Sequence, residues 1–251
     1  MAPDPPALDR PVLVTGANGG IGHGIVRSLL AHGYRNVACH YHRGMDRLER
    51  TLAEYGLPPQ EYTFAADLTR EDDVAAMHAA FKARFGTFWA LINVAGASSN
   101  AMTWRLTLAE FHRIVDASLA STFLCTRQYA PEMRERGGGR IINISSVVAE
   151  TGVAGVSHYG AAKAAVIGFT KSAAVELAPR GVTVNALALG YIDVGLIDTI
   201  PADIQQRLLE TIPAKRFGRV EEIAALVRYL IGDDSAYATG HTFRLNGGLD
   251  R

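Results

Sequence analysis

A single α/β domain built on a doubly wound, seven-stranded parallel sheet is the fold this sequence predicts. Short apolar and β-branched runs alternate with longer helical stretches along the 251 residues. The runs are nearly continuous in apolar character, as strands are when helices cover both faces of their sheet. The first run passes directly into a glycine-rich turn that opens a helix, the entry to a dinucleotide-binding unit.

Taken in order, the expected strands cover 11–15, 36–41, 62–66, 89–94, 140–145, 182–187 and 242–245. The expected helices cover 20–32, 45–55, 71–85, 108–136, 157–178, 202–210 and 221–231. Thr69 with Asp72, and Thr107 with Glu110, have the spacing of helix N-terminal caps, and the run Gly137, Gly138, Gly139 should stop the long fourth helix. Residues 1–10 read as a flexible, proline-rich segment and 11–251 as one catalytic domain. The stretch 190–212, with Tyr191, Ile192, Leu196, Ile197 and Ile200, interrupts the β/α rhythm where such folds place a substrate lid.

Composition narrows the function. Twenty-five basic residues balance 25 acidic ones, which leaves no global field to attract nucleic acid. No run approaches the roughly 18 apolar residues of a membrane span, and the N-terminus lacks the apolar core of a secretory signal. Cys39 and Cys125 lack metal-binding spacing and fit buried thiols in a reducing compartment, so the cytoplasm is expected. No metal site is expected: His40 and His42 share a strand face without a third ligand.

The turn Thr15-Gly16-Ala17-Asn18-Gly19-Gly20-Ile21-Gly22 suits a pyrophosphate, because glycine lets the backbone approach the anion while unpaired amides and the helix dipole stabilise it. About 20 residues further on, an NAD enzyme carries an acid for the ribose hydroxyl. Here the strand tip reads His40-Tyr41-His42-Arg43, and Arg43 with His42 suits a 2′-phosphate, so NADPH is favoured over NADH. Ser145 and Ser146 end the fifth strand, and Tyr159 and Lys163 follow four positions apart on one helical face. An ammonium beside a phenol should lower its pKa and fit it for proton transfer, while Ser146 hydrogen-bonds a carbonyl.

Over nearly its whole length the chain resembles the classical short-chain dehydrogenase/reductases. The resemblance rests on Thr15 to Gly22, Asp67-Leu68, Asn93-Val94-Ala95-Gly96, and the Ser146, Tyr159, Lys163 set. Within that family the stretches 139–146 and 163–171 and the closing Leu245-Asn246-Gly247-Gly248 look most like β-ketoacyl-acyl carrier protein reductases. The likeness implies NADPH-dependent reduction of a 3-oxoacyl thioester, carried by an acyl carrier protein, in fatty-acid or polyketide-type synthesis. It also implies cofactor contacts from Gly16, Asn18, Gly19, Gly20, Ile21, Gly22, His42, Arg43, Asp67, Leu68, Asn93, Ala95, Gly96, Tyr159, Lys163 and Ile192. A homotetramer should pair the helices around 108–136 and 157–178 between subunits, and Arg134, Arg136 and Arg180 are candidates for carrier docking. Three positions depart from the family pattern: Ser118 stands where a catalytic asparagine is usual, Leu189 where a proline is, and Val194 where a threonine is. Reduction of a free ketone, quinone, sugar or steroid, and nucleotide sensing without turnover, are the competing readings.

Overall fold

Alternation along the strands decides how the core is divided. Residues 12, 13 and 14 are all buried, but Val12 and Val14 face one way and Leu13 the other, so each strand supplies two cores. The computed structural model describes residues 7–195, 197 and 201–250. Its strands are β1 (Val12–Val14), β2 (Val37–Tyr41), β3 (Thr63–Ala65), β4 (Ala90–Asn93), β5 (Gly139–Ser146), β6 (Val182–Leu189) and β7 (Thr242–Leu245). They form one parallel seven-stranded sheet in the order β3-β2-β1-β4-β5-β6-β7.

The helices are α1 (Gly20–Ala31), α2 (Asp46–Glu54), α3 (Pro59–Tyr62), α4 (Glu71–Phe85), α5 (Leu108–Val115), α6 (Ser121–Arg136), α7 (Val148–Thr151), α8 (Ser157–Leu177), α9 (Ala202–Thr211) and α10 (Val220–Ile231). One core packs Val12, Val14, Cys39 and Ile92 against Ile25 and Leu29 of α1 and Val227 of α10. The other packs Leu13, Leu91 and Ile141 against Phe81 of α4, Tyr129 of α6 and Ala174 of α8. Each fully buried aliphatic side chain stabilises the fold by about 1.5–3 kcal/mol relative to its exposed form. The strand order reverses between β1 and β4, and this opens a crevice at their carboxyl ends.

Several expectations are corrected at element ends. The segment expected to be flexible to residue 10 is anchored from residue 7. Ala7–Asp9 is a 3-10 turn, and Arg10 is buried, paired with Asp233 at 2.6 Å and stacked 3.9 Å from the centroid of Trp89. Residues 1–6 lie outside the described residues. Thr69 does not cap α4, because its amide and hydroxyl are drawn to Asp67 Oδ1 at 3.0 and 2.7 Å. Thr107 does cap α5, accepting from the Glu110 amide at 3.2 Å, and Gly137 closes α6 in the left-handed region at φ 83°.

The helix expected over 108–136 is broken by a π turn at Asp116–Ala120. Two hydroxyls satisfy carbonyls in that turn: Ser121 Oγ donates to Ala117 O at 2.7 Å and Thr122 Oγ1 to Ser118 O at 2.8 Å. Among the described residues no helix is long and apolar enough to cross a membrane.

Candidate active site

The glycine-rich turn is shaped by contacts that leave no room for side chains. Gly16 has φ 61°, and a Cβ on Gly22 would stand 2.3 Å from the Gly16 carbonyl oxygen. A cradle of bare backbone at the start of α1 fits a dinucleotide pyrophosphate. The turn is fastened on both sides. Thr15 Oγ1 accepts from the amides of Val94 and Ala95 at 3.0 and 3.1 Å, joining it to the segment after β4.

His40 fastens the other side. Gly16 N–H donates to His40 Nδ1 at 3.0 Å, so Nε2 carries the proton and donates to Ala66 O at 3.1 Å. Burial pushes this imidazole down to about 4, so it stays neutral at physiological pH. The sequence analysis weighed His40 only as a metal ligand and missed this role. Its only signal was a polar residue inside an apolar strand beside the turn.

Around the turn, Asn18 Nδ2 donates to Gly44 O at 3.1 Å, while Asn18 Oδ1 is buried without a partner among the described residues. Gly19, Gly20 and Ile21 open α1, and a Cβ on Gly20 would meet Gly195 N at 2.9 Å, so the Val194-Gly195 segment lies against the turn. Ile192 is buried beside it, bridging to Gly218. Leu196 and Ile200 lie outside the described residues. His42 and Arg43 are exposed just beyond β2. Asp67 is held below its usual value by the hydrogen bonds from Thr69, and Leu68 beside it is buried. Asn93 reaches away from the crevice, its Nδ2 donating to Asn143 Oδ1 at 2.9 Å; Asn143 in turn donates to Thr170 at 2.9 Å.

Ser146, Tyr159 and Lys163 come together above β5. Ser146 Oγ accepts from Val148 N at 3.2 Å, and its hydroxyl lies beside the Tyr159 phenol. Lys163 is buried and donates to Ile144 O at 2.8 Å, while Ser145 Oγ holds the Lys163 carbonyl at 2.8 Å. A Cβ on Gly96 would lie 3.4 Å from both Lys163 Nζ and Ser118 Oγ, so Ser118 borders the same spot from the π turn. Ser118 is fully buried and its hydroxyl has no partner among the described residues.

One electrostatic expectation is corrected. The Tyr159 phenol is pushed above its ordinary value by burial, and the pull downward comes from Ser146 rather than from Lys163. The reason is orientation: Nζ turns to the Ile144 carbonyl and stands 5.8 Å from the phenol ring centroid. Burial lowers Lys163 to about 8. A protonated phenol beside a hydroxyl and a buried ammonium can give a proton to an oxygen placed between them.

The arginines expected to dock a carrier lie at the end of the sheet opposite Ser146. Arg134 and Arg136 end α6 and Arg180 follows α8, at the amino ends of β5 and β6. Eight-residue β5 separates that edge from Ser146 by about 25 Å. Arg136 also donates to Gly138 O at 2.7 Å and stacks 5.1 Å from the centroid of Trp89.

A family model described as enoyl-(acyl carrier protein) reductase matches residues 16–250. The 3-oxoacyl-acyl-carrier-protein reductase FabG of Staphylococcus epidermidis is 37% identical over 243 residues, covering 96% of this chain and 99% of its own. Its counterpart in Staphylococcus aureus strain Mu50 is 37% identical over 243 residues, covering 96% and 98%. Nodulation protein G of Azospirillum brasilense is 40% identical over 242 residues, covering 95% and 97%.

Proposed function

Because this chain belongs to the short-chain dehydrogenase/reductase family, which uses a nicotinamide cofactor, we propose that it reduces 3-oxoacyl thioesters at the expense of NADPH. The observation that carries this reading is Ser146 beside the buried Tyr159 phenol and buried Lys163, in a chain matched over 96% of its length by a 3-oxoacyl reductase. Arg43 and His42, exposed beyond β2 where no carboxylate stands at the tip, support NADPH over NADH.

When bound, the nicotinamide supplies the hydride. Ser146 orients the ketone oxygen, and Tyr159 donates its phenolic proton to that oxygen as the alkoxide develops. Lys163 would hold the nicotinamide ribose. Ser118, with its unpartnered hydroxyl, holds a water that links Lys163 to solvent, where the family uses an asparagine. The described residues of 190–212 form the lid.

An acyl carrier protein presents the substrate, and four copies of the chain assemble. The assembly is supported by the apolar stripe of α6 and α8: Phe123 is 42% and Val175 77% exposed, and Phe123 packs edge-on to Phe169 at 6.2 Å. NADPH oxidation against carrier-bound 3-oxoacyl groups, small thioester mimics, 2-enoyl thioesters and unrelated ketones tests the proposal. Preference for 3-oxoacyl thioesters is expected. Turnover confined to free ketones or to enoyl thioesters would overturn it.

A further inference from the structure

Helices α1 and α2 follow neighbouring parallel strands, so they descend side by side from the same edge of the sheet. Their contact reads as a ladder with one rung per helical turn. In the middle rung His23 Nε2 lies 2.8 Å from Thr51 Oγ1, and in the rung below it Arg27 pairs with Glu54 at 3.3 Å. The rung above is formed by Gly19 and Arg47, each four positions before its neighbour in the middle rung.

That upper rung sets a guanidinium against a residue with no side chain. Arg47 and Gly19 line one groove of about 710 Å³ together with Asn18, Gly20 and His23. Arg47 is exposed, and no carboxylate pairs with it among the described residues. The acids of its own helical turn, Asp46 and Glu49, do not line the groove. His23 is pushed down to about 4, first by burial and then by Arg47 and Arg27, so it is neutral at physiological pH. The turn at 15–22 holds no basic residue, and the charge of Arg27 is answered by Glu54. Arg47 is therefore the cation that this groove brings to the turn.

A phosphorylated dinucleotide has anions at two places. Its pyrophosphate is served by the bare amides and helix dipole of the turn, which need no side-chain cation. Its adenine ribose lies toward the tip of β2. On that side Asn18 Nδ2 joins the turn to Gly44 O at 3.1 Å, and Arg47 stands in the first turn of the helix that follows. A guanidinium suits a phosphate because its planar fork gives paired, charge-assisted hydrogen bonds. We propose that Arg47 holds the 2′-phosphate from the α2 side, as a second specificity-determining residue beside Arg43. The inference deepens the reading of NADPH as the cofactor and rests on it.

Calorimetric titration of the full-length protein with NADPH and with NADH, without substrate, tests it. Arg47→Ala should raise the Kd for NADPH about tenfold or more and leave that for NADH within about twofold. Arg47→Lys, which keeps the charge without the fork, should recover part of the loss. Arg50→Ala removes a charge from the same helix outside the groove and should leave both values within about twofold. An equal loss for NADH would move Arg47 to the pyrophosphate and overturn the proposal. A loss in Arg50→Ala as large as in Arg47→Ala would overturn it too, by reducing the effect to the general field of α2. If Arg43→Ala removes the preference for NADPH while Arg47→Ala leaves it intact, the cofactor reading stands and the role of Arg47 falls. A wild type that binds NADH as tightly as NADPH would defeat the cofactor reading itself, and the role of Arg47 with it.

Discussion

Two single residues flank the proposed cofactor site, and each makes a prediction. At the tip of β2, Arg43→Ala should weaken NADPH binding by about 1–3 kcal/mol and leave NADH nearly unchanged, as measured by titration of both. Equal losses would return Arg43 to the solvated surface. His40 acts through the turn instead. Its imidazole titrates near 6.5 in the unfolded chain but at about 4 in the fold. Between those values the unfolded chain binds the extra proton, so stability falls as pH drops from about 6.5 toward 4. The loss from His40 alone is at most about 3 kcal/mol. Urea midpoints measured across that window should fall more steeply in the wild type than in His40→Leu. At neutral pH the variant should be the less stable, by about 1–3 kcal/mol for each of the Gly16 amide and Ala66 carbonyl left unpaired. A flat wild-type profile would show that His40 does not carry this linkage.

At the scale of elements, the π turn is where local pattern and structure part. Periodicity runs unbroken through 108–136, so the sequence reads as one helix, and nothing in hydrophobic spacing marks the extra residue per turn at Asp116–Ala120. That turn delivers Ser118 to the neighbourhood of Lys163. Ser118→Ala should slow turnover and shift its pH profile with NADPH affinity intact, and Ser118→Asn should keep substantial activity. An unchanged rate and pH profile in Ser118→Ala would remove Ser118 from the site. Elsewhere β5 and β6 were legible because both faces are buried: the expected 140–145 and 182–187 fall within Gly139–Ser146 and Val182–Leu189, and the helix expected over 71–85 is Glu71–Phe85. The glycine turn and the Tyr159, Lys163 spacing were legible because their chemistry is local. Lys163 turning to Ile144, His40 joining Gly16 to Ala66, and Ser99 meeting His158 were not, since each bond closes between segments far apart in sequence. The missed α3 and α7 are four residues each, too short for a periodic signal.

For the whole molecule, the sheet separates two ends with different work. The amino end of the strands is a structural latch: Arg10, Arg136 and Arg140 surround Trp89 at 3.9, 5.1 and 4.8 Å from its centroid, and its indole donates to Ile231 O at 2.7 Å. The carboxyl end carries the glycine cradle, Ser146 and Tyr159. The proposed assembly would use neither end but the exposed side of α6 and α8, so Val175→Asp should reduce the mass measured by light scattering to that of a dimer or monomer. A tetramer unchanged by this substitution would move the interface elsewhere. The central claim is that Tyr159 gives the proton in an NADPH-dependent reduction of a 3-oxoacyl thioester. It is tested most directly by following NADPH oxidation with that substrate in wild type and Tyr159→Phe. The account predicts retained NADPH binding and a turnover at least about 100-fold lower in the variant; near-normal turnover in Tyr159→Phe would contradict it.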